Sequence, residues 1–267
     1  GISDGNILAN IFFVHGVNPY WINSLVPGGW SIAVEMVFYL MIPLLFTWIK
    51  DLNGAVKAFL IVLVGRLILH AVLVTHPLIS DIGLWHLYLF YYLPNQLPVF
   101  MVGIMLFFIL RNSERDRHIS PILLIGFALL FILHLATMRQ IVVPTHVLFA
   151  FGFLILALGL ARRPIALIVN RPMRHIGKVS YSMYLCHFAV LYWLERLGFA
   201  DLITPHGTAS GLVNFALRYG VTVILSVALS TALYHLVETP AMNLGKRLIK
   251  RWEDRPTPVP EAVSGGI

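Results

Sequence analysis

The sequence carries little charge. Only 12% of its 267 residues are Asp, Glu, Lys or Arg, against about 25% in an ordinary soluble domain. Hydrophobic residues make up 58% of the chain, and the mean hydropathy is +0.82. The apolar runs are longer than the strands of a soluble core. The composition therefore excludes a water-soluble globule and makes the lipid bilayer the solvent for most of the chain.

Cysteine is almost absent, and this excludes two further classes of protein. Cys186 is the one cysteine, so the chain has no internal disulfide and is not a disulfide scaffold. The sequence also lacks the Cys and His spacing that is typical of a zinc site, and no metal is predicted. Internal repeats and the ten-residue alternation of a membrane β-barrel are missing as well.

Seven apolar runs predict membrane-spanning helices. A helix needs about 20 residues to cross the hydrocarbon core, and the two shortest runs, the third and the fifth, can be extended by Tyr91, Tyr92 and Leu93 and by Val142 and Val143. Because the backbone must satisfy its own hydrogen bonds in lipid, we predict an all-α, polytopic transmembrane bundle. The predicted spans lie at about 31–49, 56–74, 96–110, 121–137, 146–161, 179–197 and 212–237.

Positive charge is divided unevenly between the alternate connections. One side has only Arg139 and Arg196, while Arg66 and Arg218 fall inside predicted spans. The positive-inside rule makes the basic side cytoplasmic, so the amino terminus lies outside and the carboxyl terminus inside. The net charge of +7 then reflects topology, and no nucleic-acid partner is predicted. The basic side carries Lys50, Lys57, Arg111, Arg115, Arg117, Arg162, Arg163, Arg171, Arg174, Lys178, Lys246, Arg247, Lys250, Arg251 and Arg255.

The start of the chain does not fit this orientation by itself. It begins Gly1-Ile2-Ser3-Asp4, with neither an initiator Met nor a signal peptide, and yet it begins outside. We therefore expect an odd number of helices to precede Gly1. We also expect one transmembrane domain over 1–254 and a Pro-rich, disordered cytoplasmic tail over 255–267.

Polar residues inside the spans are the candidate functional residues, because an ionisable side chain in hydrocarbon is costly and usually faces a cavity or a partner. Ser31, Glu35 and Tyr39 are spaced i, i+4, i+8 and form one polar stripe on a helix. The stripe predicts a site facing the protein interior. The alternative is a Glu35 wetted by lipid headgroups and a Ser31 that only caps the helix.

Arg66 lies near the middle of the second predicted span, too far from either end for easy snorkelling. With His70 one turn further on, it could bind an anion or a carboxylate such as Glu35. The alternative is a structural ion pair between two helices.

The last two predicted spans also carry polar residues. Tyr184 and His187 share a helix face, and His187 is either a catalyst or a hydrogen bonder between helices. We expect Glu238 and Pro240 to end the last span, with Glu238 beside a basic neighbour.

Four stretches of the sequence carry a family resemblance. They occur in the same order and at similar distances in the acyltransferase 3 family of integral membrane acyltransferases, which the chain resembles from about residue 10 to residue 250. The stretches are Pro27-Gly28-Gly29-Trp30-Ser31 with Glu35, Phe38 and Tyr39; Pro94-Asn95-Gln96-Leu97-Pro98-Val99-Phe100; 176–187, which ends in Tyr184-Leu185-Cys186-His187; and Glu238-Thr239-Pro240.

The resemblance implies an activity and its partners. Such proteins have ten helices and transfer an acyl group, acetyl by default, from cytoplasmic acyl-CoA to a hydroxyl of a cell-surface carbohydrate or a lipid-linked glycan. The acyl-CoA is a donor substrate rather than a bound cofactor, and the expected location is a bacterial cytoplasmic membrane in contact with its lipids. The resemblance implies catalytic roles for Glu35, Ser31 and His187 and substrate-binding roles for Trp30, Tyr39, Arg66, His70, Asn95, Gln96 and Tyr184.

The family's catalytic His and the Arg near it on the first helix have no counterpart here, nor does an Arg pair near its third helix. On this interpretation the seven spans are the last seven of ten, and we expect the chain alone to be inactive. The missing His would be the general base, with Glu35 holding its imidazole in the productive tautomer. The basic segment from Arg162 to Lys178 either docks the CoA phosphates or reflects topology and anionic lipids alone.

Two other classes of protein stay open. A transporter or flippase would also place Glu35, Arg66 and His187 in a membrane cavity, although transporters usually contain internal repeats. A non-catalytic membrane remnant is the other alternative. The sequence does not indicate an oligomeric state.

Overall fold

The computed structural model describes residues 2–111, 121–137, 144–199 and 207–253, and within these ranges it contains helices and no strand. The chain divides into two compact units, Gly1–Ala166 and Leu167–Ile267. The helices of the first unit are α1 (Asp4–Ile11), α2 (Gly29–Trp48), α3 (Leu52–Thr75), α4 (Ile82–Tyr91), α5 (Leu93–Arg111), α6 (Pro121–Thr137) and α7 (Thr145–Arg162).

The second unit is built around two long helices. A short helix precedes them, and a single π-helical turn, Tyr234–Glu238, joins the second long helix to the last one. The helices are α8 (Arg171–Lys178), α9 (Ser180–Arg196), α10 (Thr208–Leu233) and α11 (Thr239–Glu253).

The prediction of an all-helical membrane protein is confirmed. In the described part of the chain, five segments are long and apolar enough to cross a membrane, and α6 and α9, with 17 residues each, match two further predicted spans. The number of spans, seven, stays a prediction. Val142 and Val143 and the predicted tail lie outside the described residues. The five segments are Gly29–Trp48, Leu52–Thr75, Ile82–Arg111, Thr145–Arg162 and Thr208–Arg251.

The expected end of the last long helix at Glu238 and Pro240 is wrong, whereas the end of the membrane span there stays a prediction. The helix passes through the π-helical turn and continues into α11 as far as Glu253. Pro240 comes just after the π-helical turn, so the residue that lacks an N–H lies where the regular helical hydrogen-bond pattern is already interrupted. The wider π turn before it accommodates the ring without ending the helix.

Local sequence explains where several helices begin. Gly28 precedes α2 with a φ of +76°, a left-handed conformation that glycine adopts without steric cost. Asp51 caps α3 by accepting a hydrogen bond of 2.7 Å from the Gly54 N–H, and Asp81 caps α4 in the same way through the Leu84 N–H. An oxygen side chain at this position satisfies a backbone donor that has no partner inside the helix.

The core of the first unit is aromatic and aliphatic. Phe38 of α2 stacks on Phe100 of α5 with 4.1 Å between ring centroids, and Phe59 of α3 meets Phe151 of α7 edge-on at 5.3 Å. Other apolar side chains point outward: Leu40 is 80% exposed and Ile61 is 73% exposed. Such surfaces are costly in water but contact acyl chains in a bilayer.

Helices α6 and α7 pack closely at a glycine. A Cβ added at Gly152 would lie 2.7 Å from Ile132 Cγ1, so the contact depends on the absence of a side chain. We expect Gly152→Ala to lower the free energy of unfolding by about 1–3 kcal/mol through overpacking. Thermal denaturation in detergent measures the change. Gly103→Ala is the matched control because a Cβ there meets nothing within 4 Å; equal stability of both variants would contradict the prediction.

Candidate active site

The predicted polar stripe lies on α2 in the first unit. The Tyr39 hydroxyl donates a hydrogen bond to the Glu35 carboxylate one turn away. The Ser31 hydroxyl donates to the Gly28 carbonyl oxygen at 3.0 Å, within the turn that starts the helix. Glu35 is half-buried, whereas Tyr39 is exposed. The stripe therefore presents a carboxylate supported by a phenol on its own helix.

Trp30 connects the start of α2 with the end of α4. Its ring stacks on Tyr91 with a centroid distance of 4.5 Å and an interplanar angle of 21°. Just before α2, the buried His15 places its Nε2 3.1 Å from the Gly29 carbonyl oxygen. A carbonyl can only accept, so the imidazole donates this hydrogen bond. These contacts hold the first residues of α2 in place, and Glu35 lies six residues after the start of this helix.

A polar cavity lies between α3, α4, α5 and α7 of the first unit. Its volume is about 520 Å³, and its lining combines one arginine and three histidines with an amide and a hydroxyl. The lining residues are Arg66, His70, His86, Leu89, Phe90, Asn95, Pro144, Thr145, His146 and Phe149. In a bilayer such a cavity is a place where an ionisable side chain avoids contact with lipid.

Asn95 is the centre of the hydrogen-bond network in this cavity. It is 1% exposed, and its Oδ1 accepts a hydrogen bond of 2.8 Å from Arg66 Nε. Its Nδ2 donates to the Phe90 carbonyl oxygen at 2.7 Å, and its own carbonyl oxygen lies 3.0 Å from His146 Nε2. One buried residue thus joins side chains of α3 and α7 to the backbone of α4.

Gln96 supports the same junction. Its Nε2 donates to the Phe90 carbonyl oxygen at 2.7 Å, the atom that Asn95 also uses. The two amides bridge the break between α4 and α5, where the helix stops at Tyr91 and resumes at Leu93.

The structure brings Arg66, His70 and Asn95 together and places Glu35 elsewhere. The cavity lining does not include Glu35, and within the described ranges the hydrogen-bond partner found for Arg66 is the neutral Asn95 amide. The structure therefore does not show the expected contact of Arg66 and His70 with the Glu35 carboxylate. In the same part of the chain, no group of three or more His, Cys, Asp or Glu residues could hold a metal ion.

Two cavity residues were missed by the sequence analysis. His86 lies on the short helix α4, ahead of the third predicted span, and His146 lies in the first turn of α7. A histidine at the first residue of the predicted span 146–161 was the available signal for His146. No sequence rule places residue 146 beside residue 66, so their contact with one cavity emerges only from the fold.

His187 and Tyr184 lie together in the second unit, on α9. His187 Nδ1 is 2.6 Å from the Tyr184 carbonyl oxygen, and the two rings are 5.5 Å apart. Both residues line a groove of about 790 Å³ between α9 and α10, together with Asn214 and Arg218. One nitrogen of the His187 ring is therefore hydrogen-bonded to its own helix. The ring lies in the same groove as Arg218, which is in the middle of α10.

Glu238 binds a hydroxyl rather than the basic neighbour that was expected. The buried Ser182 of α9 donates to Glu238 Oε2 at 2.7 Å. The nearby Lys178 lies over the Tyr234 ring instead, 4.9 Å from its centroid, which is within cation–π range. This pair of contacts ties the π-helical turn to α9.

The sequence of this chain is similar to that of known proteins. The O-acetyltransferase OatA of Staphylococcus aureus, from strains NCTC 8325 / PS 47, COL and MRSA252, is 24% identical over 238 residues, which cover 81% of this chain and 36% of the relative. The chain thus spans about a third of the length of these relatives. No solved structure matches it significantly. The family model described as an acyltransferase domain, acyltransferase 3, matches residues 5–235. This match confirms the resemblance seen in the four motifs, and the chain belongs to the acyltransferase 3 family.

Proposed function

We propose that this chain forms the membrane part of an acyltransferase that moves an acetyl group from acyl-CoA to a hydroxyl of a cell-surface carbohydrate. The observation that carries the proposal is the family match over residues 5–235. The relatives bear the name O-acetyltransferase, which supports acetyl as the transferred group and oxygen as the atom that receives it.

The reaction requires proton removal and charge stabilisation. A hydroxyl is a weak nucleophile at neutral pH, so a general base takes its proton as the oxygen attacks the thioester carbonyl carbon. The new C–O bond forms, the C–S bond breaks, and CoA leaves as a thiolate that takes up a proton. Between these events the carbonyl oxygen carries negative charge, which nearby donors must stabilise.

Glu35 is the proposed positioning residue for a histidine base. A carboxylate beside an imidazole selects one tautomer and stabilises the imidazolium that forms when the base is protonated. The hydrogen bond from Tyr39 restrains the Glu35 carboxylate on α2. Ser31 lies one turn before Glu35 on α2, and we assign it to the same catalytic network. Trp30, which precedes it, is assigned to substrate binding.

The proposal is tested with the protein expressed from its complete gene. Membrane vesicles receive acetyl-CoA labelled in the acetyl group on the cytoplasmic side, and alkali-labile label is then measured in the surface carbohydrate. We expect labelled ester from wild-type membranes and none from a deletion strain. Equal labelling of both strains would contradict the proposal. Loss of the carbohydrate itself from the surface of the deletion strain would indicate a flippase instead.

A further inference from the structure

The cavity of the first unit carries positive charge, and none of the described residues that line it is an acid. Arg66 stays protonated at any physiological pH, and the residues lining the cavity with it include three histidines but no Asp or Glu. An unpaired charge in a membrane interior is costly. A half-buried arginine in such surroundings favours an anionic ligand.

Among the described residues, one hydrogen bond holds Arg66 in place, and the other N–H donors of its guanidinium remain for a ligand. Its Nε bonds to Asn95 Oδ1, and this is the hydrogen bond that the structure gives to Arg66 in the described part of the chain. A guanidinium has five N–H donors in a planar fork that fits a carboxylate or a phosphate. Because Asn95 is itself fixed by the Phe90 carbonyl oxygen, the two terminal amino groups are positioned before any ligand arrives.

The surrounding groups also suit an oxyanion. His70 Nδ1 is buried and has no hydrogen-bond partner among the residues that the structure describes, so a ligand oxygen could supply one. Asn95 and His146 lie in the first turns of α5 and α7, where the helix dipole favours negative charge. The last turn of α4, which contributes Leu89 and Phe90 to the lining, opposes this effect, so the charge of Arg66 is the main attraction for an anion.

The position of the cavity along the helices indicates which substrate it binds, the acyl-CoA donor or the carbohydrate acceptor. Its residues lie at the amino-terminal ends of α5 and α7, whereas Arg111 and Arg162 are the last residues of those helices. Lys57 lies near the start of α3, and His70 lies near its end. By the positive-inside rule the basic end is cytoplasmic. The cavity therefore belongs to the extracytoplasmic half, on the opposite side from cytoplasmic CoA.

We propose that the cavity around Arg66 binds an oxyanion, a carboxylate or a phosphate, carried by the carbohydrate acceptor. This inference rests on the proposed function, because it names the class of acceptor for that reaction. Arg66 binds the anion, Asn95 positions the guanidinium, and His70 Nδ1 supplies a further donor. Neutral sugars lack the group that this cavity recognises, so they are poor acceptors.

The test is a binding experiment that does not depend on turnover. The purified protein in detergent is heated with glucuronate, glucose 1-phosphate or glucose, and the concentration that gives half of the maximal stabilisation is recorded. We expect the two anionic sugars to stabilise the wild-type protein at concentrations at least about tenfold below that of glucose, the range of a charged hydrogen bond. Equal effects of all three sugars would overturn the proposal.

A matched pair of variants at His70 isolates the charge of the cavity. His70→Glu places a carboxylate four residues after Arg66 on the same helix face, where it neutralises the guanidinium. His70→Gln has the same length and no charge. We expect glucuronate to bind at least about tenfold more weakly to the Glu variant than to the Gln variant. Lys57→Gln, an exposed cation on the same helix, should bind it as wild type does. Equal binding by the two His70 variants would refute the charge-based site.

Two further measurements separate this inference from the function on which it rests. CoA binding should be the same in both His70 variants, and a selective loss in the Glu variant would assign the cavity to the donor.

A cysteine at Asp81, in a Cys186→Ala background, should react with an impermeant maleimide from outside, and one at Arg171 only from inside. The reverse pattern would overturn the acceptor assignment. If anionic sugars bind but wild-type protein transfers no acetyl group, the proposed function fails while the anion site remains.

Discussion

Glu35→Gln in the protein expressed from its complete gene is expected to lower acyl transfer about 10²- to 10⁴-fold, the range of a lost acid–base contribution. The substitution keeps the size of the side chain and its ability to accept from Tyr39, but it removes the negative charge that would stabilise an imidazolium. The variant should accumulate in the membrane at the wild-type level. Turnover of labelled acetyl-CoA and quantitative immunoblotting measure the two quantities.

Glu195→Gln is the matched control for this prediction. It is the same substitution at an exposed carboxylate on α9, and turnover should stay close to wild type. Near wild-type turnover by Glu35→Gln would refute its role as a positioning residue. A Glu35→Gln protein that fails to accumulate would favour a structural role for the stripe on α2. A shift in the pH profile of the residual activity would identify an effect exerted through the base.

Arg66→Met is expected to lower acyl transfer to an anionic acceptor about 10- to 100-fold, which corresponds to about 1.5–3 kcal/mol for a hydrogen bond to a charged group. Its effect on stability should be smaller than the 3–5 kcal/mol that follows from breaking a buried ion pair. The reason is that its hydrogen-bond partner, Asn95, is neutral. Turnover and thermal denaturation in detergent are measured on the same preparations.

Arg66→Lys distinguishes geometry from charge. Lysine keeps the positive charge but lacks the planar guanidinium, whose Nε donates to Asn95 while its terminal amino groups face a ligand. Arg66→Lys should therefore recover little of the activity. Full recovery would show that a point charge is sufficient. A strongly destabilised Arg66→Met whose folded fraction turns over normally would show that the arginine is structural.

The long apolar helices could be predicted closely because apolar length determines them, whereas α1, α4, α8 and α11 were not predicted. The predicted run 146–161 corresponds to Thr145–Arg162, and the run 121–137 to Pro121–Thr137. Apolar length is a strong constraint in lipid, where the backbone has no alternative to the helix. The continuation past Pro240 could not be predicted in this way, because it depends on a π-helical turn that hydropathy does not encode.

The candidate site was predicted only in part. Arg66 and His70 stood out because charged and polar residues are rare inside a span, and Asn95 entered through the family resemblance alone. The network that joins them depends on the α4–α5 break and on the packing of α7 against α5, which are tertiary features. For this reason His86 and His146 were absent from the predicted set. The roles of Glu35, Ser31, His187 and the other predicted site residues stay predictions.

The buried amide of Asn95 limits which substitutions can alter the ligand specificity of this protein. Its side chain and its carbonyl oxygen connect three helices, and the same side chain fixes the arginine of the proposed anion site. A substitution that altered ligand preference here would also disconnect the helices around it. New specificities would therefore arise more readily at His86 or Thr145, which line the cavity and are exposed, while Asn95 stays unchanged.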